Sequence, residues 1–331
     1  MANMKDVARE AKVSVATVSN YINGKKVRSE AAKNIEVAIK KLNYVRNNAA
    51  RLLKTDQSPF VVFVVPSVWS PFFSELTFWV QKYLNKLGFK MVLCISENDY
   101  EKEKSYVKMA EEQRAAGILS ISYSDLTSHV LSDIPLVAIE KETTGQFSLI
   151  SSDNYAGGQL AAKELINRNL EHLIFVGSTN YESVELNARK AGFEDFCNNH
   201  GHKFELEEVK TRYDKKQLLD SVNKIIERII SESKKQNIGI FAHTDETAFL
   251  LIKELIKKGI RIPEQVQVIG FDGWNLTPNT KLSLSTIRQP IKEIAETAVK
   301  QLNKEIKNPK EAEKARVMLP VSYRAGETTI N

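Results

Sequence analysis

The chain has 331 residues, of which 42% are hydrophobic and 27% charged, with a net charge of +6. This length exceeds one ordinary core and predicts two or three domains, and the composition argues against a disordered body. No apolar run approaches the roughly 20 residues that span a bilayer, the start MANMKDVARE lacks an apolar export segment, and the only cysteines are Cys94 and Cys197; together these predict a cytoplasmic protein with buried thiols and no membrane partner.

The charge is unevenly placed. Residues 1–57 hold twelve Lys/Arg and five Asp/Glu, leaving 35 basic and 36 acidic residues for the rest. A basic head on a near-neutral body predicts a densely negative partner, with double-stranded DNA first.

Within the head, Val7, Ala8 and Ala11 have helical spacing over residues 5–11. Ser14 can N-cap a second helix over 15–23, and Gly24 suits the left-handed position just past its end. Val18 and Ile22 then face inward. Val15, Ala16, Thr17, Ser19 and Asn20 face out. A third helix is expected over 29–42, with Ile35, Ala38, Ile39 and Leu42 as its stripe. Two helices joined by a tight turn fit the major groove. Asn20 can bond adenine in a bidentate way, while Val15 and Ala16 can touch thymine methyls. Ser14, Thr17 and Ser19 are short hydroxyls suited to phosphates, and Asn23 is counted with them. The competing reading is a small bundle that merely packs on the body.

The runs Asp6-Val7-Ala8, Val13 to Ser19, Asn23-Gly24 and Leu42-Asn43-Tyr44 resemble the head of the lactose-repressor/galactose-repressor family of bacterial transcription factors. The resemblance implies that Val15, Ala16 and Asn20 read bases, although many members have Arg where this chain has Asn20. Lys12 stands where Gly is usual, Arg28 where a capping Ser is usual, and Arg46 where Pro is usual. The segment 47–54, NNAARLLK, is too short to hold a helix alone in water. In the resembled family it becomes a helix when two copies meet in the minor groove, so Asn48 is expected at the DNA and Leu53 as a wedge between base pairs. A plain linker is the alternative.

From residue 60 onward strand and helix patterns alternate. Apolar runs at 60–66, 90–95, 117–121, 135–139, 172–177, 238–242 and 265–271 predict strands, and helical patterns separate most of them. This alternation implies parallel sheets with helices on both faces. About 270 residues of it suggest two lobes. The fold class is therefore α/β: an all-α helix-turn-helix head with a hinge helix, then a two-lobed body of doubly wound parallel sheets resembling a periplasmic binding protein. The expected divisions are a head at 1–46, a hinge at 47–57 and a body at 58–331. The body's N-lobe would comprise 58–152 plus 290–316, and its C-lobe 153–289 plus 317–331.

Ligands of such sheets bind beyond the strand C-termini. Trp69 to Phe73, Glu140, Thr244-Asp245 and Asp272-Gly273-Trp274 all lie at expected strand ends. Planar apolar groups beside charged or amide groups suit a sugar-like ligand. The family resemblance extends through 70–76, 151–165, 187–193, 244–248 and 263–272. It implies that Phe72 and Phe73 line the N-lobe side of an effector pocket, and that Arg189 and Asp272 hold ligand hydroxyls. Glu140, Tyr213 and Thr244 fall near family ligand positions. Trp69 and Ser70 replace the usual small residue and Asn, which implies a different ligand from that of a standard member. For each aromatic the competing reading is core packing.

His200 and His202 form the one close histidine pair, without metal-ligand spacing around it. No dinucleotide, P-loop or nucleophile-elbow motif occurs, and Gly157-Gly158 is weak evidence for phosphate binding. No enzyme, cofactor or metal is expected. The sequence thus predicts a transcriptional repressor acting as a homodimer on a pseudo-palindromic operator and switched by a sugar or sugar phosphate. The alternative is a catabolite-control regulator whose main corepressor is a phosphocarrier protein.

Overall fold

The fold was analysed in a computed structural model. It describes residues 2–45, 58–122, 130, 133–141, 145–177, 184–209, 215–232, 237–274, 283–309 and 311–330. Packing divides the chain into two units, Met1–Gln57 and Ser58–Asn331.

Among its described residues the first unit has three helices: α1 (Met4–Glu10), α2 (Val15–Ile22) and α3 (Ser29–Lys41). Asn3 and Asp6 form a reciprocal capping box at the start of α1, and the Ser14 hydroxyl accepts from Thr17 N at the start of α2. Val7, Ala8, Ala11, Val18, Ile35 and Ala38 close a small core, with Val13, Ile22, Ile39 and Leu42 packed against it. These are the apolar positions that helical spacing selects.

In the second unit two six-stranded sheets are built from strands that alternate with helices. The first is assembled from β1 (Phe60–Val65), β2 (Lys90–Ile95), β3 (Gly117–Ser120), β4 (Leu136–Ile139), β5 (Ser148–Ser152) and β11 (Arg316–Leu319). Its strand order is β11-β5-β4-β3-β1-β2, and every pairing is parallel. The second is assembled from β6 (His172–Gly177), β7 (Phe204–Glu208), β8 (Ile238–Ala242), β9 (Val266–Asp272), β10 (Ser285–Arg288) and β12 (Ser322–Arg324). Its order is β12-β10-β9-β8-β6-β7, with only β12 antiparallel.

The helices are α4 (Pro71–Lys86) and α5 (Tyr100–Glu112) in the first half, then α6 (Asn154–Ile166), α7 (Val184–Asn199), α8 (Lys215–Glu232) and α9 (Asp245–Lys257). The last, α10 (Ile291–Lys307), returns to the first lobe, where Ile294, Ala298 and Leu302 join the β1–β4 core. The chain therefore passes between the sheets after β5, after β10 and after β11. That third passage follows Leu319, a few residues beyond the expected boundary at 316.

Five of the strands lie outside the apolar runs. β5 carries Ser148, Ser151 and Ser152 on fully buried backbone, a pattern that hides it from a search for apolar stretches. Ser148 is held by Glu305 at 2.6 Å, which satisfies its buried hydroxyl. Cys94 and Cys197 are buried free thiols. Gly157 and Gly158 serve helix packing. A Cβ at Gly158 would stand 2.0 Å from the Arg189 carbonyl oxygen, and one at Gly192 would stand 2.0 Å from that of Tyr155. This close approach of α6 and α7 sets where Arg189 lies. Among the described residues no helix is long and apolar enough to cross a membrane.

Candidate functional site

In the head, α2 presents the face that sequence spacing assigns to DNA. Val18 is fully buried, whereas Val15, Ala16 and Asn20 are exposed and Thr17 and Ser19 half-buried. The Ser14 hydroxyl bonds Thr17 Oγ1 at 2.8 Å as well as capping the helix, so these two hydroxyls are already ordered. Asn23 Nδ2 donates to the Ser19 carbonyl at 2.8 Å, and Gly24 takes φ +71° to end the helix. Asn23 thus terminates α2 and holds Ser19. Two departures from the family pattern, Lys12 and Arg28, sit at element boundaries, and Arg46 lies outside the described residues. Lys12, in the turn between α1 and α2, has φ +54°, which an L side chain adopts at a cost. Arg28 occupies the N-cap of α3 with no side-chain cap. Asn48 and Leu53 lie outside the described residues.

In the body, four strand ends and two helices contribute to one polar cluster. Glu140, just after β4, has φ +64° and is 5% exposed. Its Oε1 accepts from Ser152 N at 2.8 Å and its Oε2 from Asn154 Nδ2 at 3.2 Å. Asn154 Oδ1 accepts from Arg189 Nε at 2.7 Å, and Arg189 Nη1 donates to the His243 carbonyl at 2.7 Å. The same Nη1 lies 3.9 Å from Asp272 Oδ1. Asp272 accepts from Gln289 Nε2 at 2.8 Å, and Gln289 Oε1 accepts from the Ser152 hydroxyl at 2.7 Å. The six residues therefore close a ring, Ser152 joining through both its backbone N–H and its hydroxyl. Two of the three passages between the lobes run through it.

The ring offers charge and hydrogen bonds in a dry setting. The Arg189 guanidinium lies 3.6 Å over the Phe271 ring centroid, a cation–π contact that also fixes its plane. Burial pushes the Glu140 carboxyl up, while the Arg189 charge and the bonds from Ser152 and Asn154 pull it back. Left-handed backbone at Glu140 and φ +127° at Asp272 add local strain, of a kind that clusters where ligands are held.

A cleft of about 290 Å³ opens between the lobes. Trp69, Ser70, Phe73 and Asn98 line it from the first lobe, and Glu246 and Trp274 from the second. Trp69 is 94% exposed, so its ring faces solvent. Phe73 is shared between this wall and the β1 core. Phe72 packs edge-on to Phe73 at 5.3 Å within that core and does not line this cleft. For Phe72 the core reading is therefore the one observed.

Thr244 N-caps α9, its hydroxyl accepting from Thr247 N at 3.2 Å. Glu140, Arg189 and Asp272 gather in the ring and do not line this cleft. Tyr213 lies outside the described residues. Sequence reasoning missed Asn98, Glu246, Asn154 and Gln289 as site residues. Asn98 follows β2 by three residues, so the strand-end rule that selected Glu140 reaches it as well. Gln289 follows a strand that carries too little apolar signal to be found.

Comparison with known proteins agrees with this architecture. Residues 3–47 match the family described as bacterial regulatory proteins, lacI family, and residues 162–329 match the periplasmic binding protein-like domain. The sucrose operon repressor of Streptococcus mutans is 32% identical over 334 residues, covering 99% of each chain. A periplasmic binding protein/LacI transcriptional regulator from Alkaliphilus metalliredigens, solved with D-xylulofuranose, is 30% identical with a TM-score of 0.70, covering 83% of this chain and all of its own. The lac repressor dimer bound to operator has the same fold at 19% identity, with a TM-score of 0.83 over 100% of this chain and 99% of that one. The chain belongs to the lacI family of bacterial regulatory proteins, whose members are DNA-binding transcription regulators and not enzymes.

Proposed function

We propose that the chain is a repressor of a carbohydrate-utilisation operon. It binds a pseudo-palindromic operator as a homodimer and is switched by a sugar-like effector held between the lobes. The observation that carries the DNA half is the α2 face, where a fully buried Val18 leaves exposed Val15, Ala16 and Asn20 on a head of strongly positive charge. Small apolar groups and an amide can read base edges, while the surrounding Lys and Arg neutralise phosphates. One helix reads only a few base pairs, so specific affinity calls for two half-sites and two copies.

In this reading residues 1–46 read the operator, 47–57 form the hinge and 58–331 sense the effector. Ser14, Thr17, Ser19, Asn23 and Asn48 position the head on the backbone, and Leu53 wedges into the minor groove. The effector site combines the polar ring of Glu140, Arg189 and Asp272 with the aromatic cleft of Trp69 and Phe73. Tyr213 and Thr244 are assigned to the same site. The relatives named for sucrose and ribose operons support a sugar. The chain's own cleft offers a ligand site without a protein corepressor, which favours this reading over the phosphocarrier alternative.

The test is duplex binding by fluorescence anisotropy as a function of salt. A preference for one palindrome, with a steep salt slope, is expected. A shallow slope with no palindrome preferred would sink the proposal. Leu53→Ala should weaken specific binding and spare nonspecific binding; equal losses would count against the wedge.

A further inference from the structure

The Trp274 indole lines the cleft without a polar anchor of its own. Its Nε1 is buried and has no hydrogen-bond partner. The ring is therefore placed by its stacking on Phe249, 6.0 Å away, and by the backbone that carries it.

That backbone is held at its N–H groups and at its carbonyls by residues that do not line the cleft. Asp245, the first residue of α9, accepts from Trp274 N at 2.7 Å and, through its other oxygen, from Thr286 Oγ1 at 2.7 Å. The Thr286 oxygen accepts in turn from Gly273 N at 3.2 Å. Arg324 takes the carbonyls: its Nη2 donates to Trp274 O at 2.6 Å and its Nη1 to Gly273 O at 3.4 Å. One planar guanidinium fork thus fixes two consecutive carbonyls. Only glycine suits the first of these two positions, since Gly273 has φ +81° and a Cβ there would stand 2.8 Å from Arg288 Cα.

Arg324 reaches this pair from far along the chain. β12 pairs with β10 in a register that sets Arg324 opposite Thr286, just past the third passage between the lobes. Burial holds its guanidinium below the ordinary value, while Asp245 supports the charge, Arg288 opposes it and Glu75 supports it. Glu75 lies on α4, in the first lobe. The guanidinium that holds the Trp274 carbonyl therefore feels charge from both lobes.

We propose that Arg324 is a positioning residue for the effector site: without lining the cleft, it sets the Trp274 indole from the strand that follows a lobe crossing. The inference rests on the effector reading above and adds to it a residue that touches no ligand. A shift of β12 at the crossing carries the two carbonyls with it, and the indole follows.

The first test reads Trp274 directly and uses no ligand. The chain has three tryptophans, so Trp69→Phe with Trp79→Phe leaves Trp274 as the reporter in the full-length protein. In that background Arg324→Met is expected to shift the emission to the red and to raise quenching by acrylamide. Arg324→Lys keeps the charge but not the fork and should fall between. Should Arg324→Met melt far below the parent, Arg324→Lys carries the comparison. Unchanged emission and quenching overturn the proposal.

The second test is isothermal titration with sucrose and ribose, with all three tryptophans in place. Arg324→Met should weaken whichever sugar binds the parent by about tenfold, and Arg324→Lys should recover part of the loss. Combined with Trp274→Ala, Arg324→Met should cost nothing beyond Trp274→Ala alone, because it acts through the indole. Additive losses overturn the proposal and leave the effector reading standing. Binding of neither sugar counts against the effector reading, and the fluorescence result still decides what Arg324 does to Trp274.

Discussion

Arg189 and Asp272 meet 3.9 Å apart inside a closed polar ring that ties one lobe of the body to the other. Both are nearly buried, at 5% and 8% exposure, so neither charge has water to fall back on. Removing one partner of such a pair leaves the other charge buried alone, which costs about 3–5 kcal/mol. Arg189→Met keeps much of the volume and removes the charge. It should lower body stability by that amount in a denaturant titration, and it should abolish the sugar response. A loss below about 1 kcal/mol would show that Glu140, Asn154 and Gln289 hold the ring without the guanidinium.

Asp245 gives the body a pH-dependent component. Burial pushes its carboxyl from the ordinary 3.8 up to about 6, against the bonds from Thr286 and Trp274 and the nearby charge of Arg324. The folded state therefore holds this proton more tightly than the unfolded state does. Between the two values the folded state binds more protons, and stability falls as pH rises. The contribution is fully present below 3.8 and gone above about 6. Asp245→Asn should remove it, at most about 3 kcal/mol. The melting-temperature advantage of the parent over the variant should grow as pH is lowered from 7 to 4; a flat difference would refute the assignment.

Lys12 carries a conformational cost in the turn before the reading helix. Its φ of +54° places an L side chain in left-handed backbone at the end of α1, a position that glycine fills without strain. Lys12→Gly relieves roughly 1–2 kcal/mol of strain and returns part of it as unfolded-chain entropy. A net gain of about 0.5–1 kcal/mol is expected, seen as slower hydrogen exchange at the buried Val7 and Val18 amides. Faster exchange would mean that the lysine side chain stabilises the turn in another way.

Arg28 is the complementary case. It caps α3 with extended backbone at φ −60° and ψ 140° but makes no side-chain bond to the helix. A cation there also opposes the positive helix end. Arg28→Ser should add about 0.5–2 kcal/mol to the head, read in the same exchange experiment. If α3 amides exchange no more slowly, the new hydroxyl is not capping.

Much of this architecture was legible because its signals are local. Ser14, Val18, Ile22 and Gly24 define α2 by cap, stripe and stop, and the structure places each accordingly. The apolar strands β1, β6 and β8 announce themselves as unbroken runs. What escaped is non-local. β5 is a polar strand whose serines find partners 137 and 157 residues away, at Gln289 and Glu305. The Phe72 and Phe73 pair looks equivalent in sequence, yet one helical step decides which ring reaches the cleft. The polar ring could not be assembled from spacing, because its members come from five separate parts of the chain.

Asn20 tests whether the reading assigned to α2 is chemical or merely positional. Its side chain is exposed, and its carbonyl accepts from Lys25 N at 2.9 Å, which fixes the backbone where the helix gives way to Gly24. A primary amide matches adenine N6 and N7, whereas a guanidinium matches guanine O6 and N7. Asn20→Arg should therefore move the preferred base from adenine to guanine at one position in each half-site, with discrimination of about 1–3 kcal/mol. An anisotropy scan over operators varied at each position reads this out. Lys25→Ala is the control: Lys25 is exposed, and removing a positive charge that neutralises a phosphate is expected to weaken all operators alike and lower the salt slope by about one. Were Asn20→Arg to behave like that control, with every operator shifted equally, base reading would have to come from Val15 and Ala16 alone.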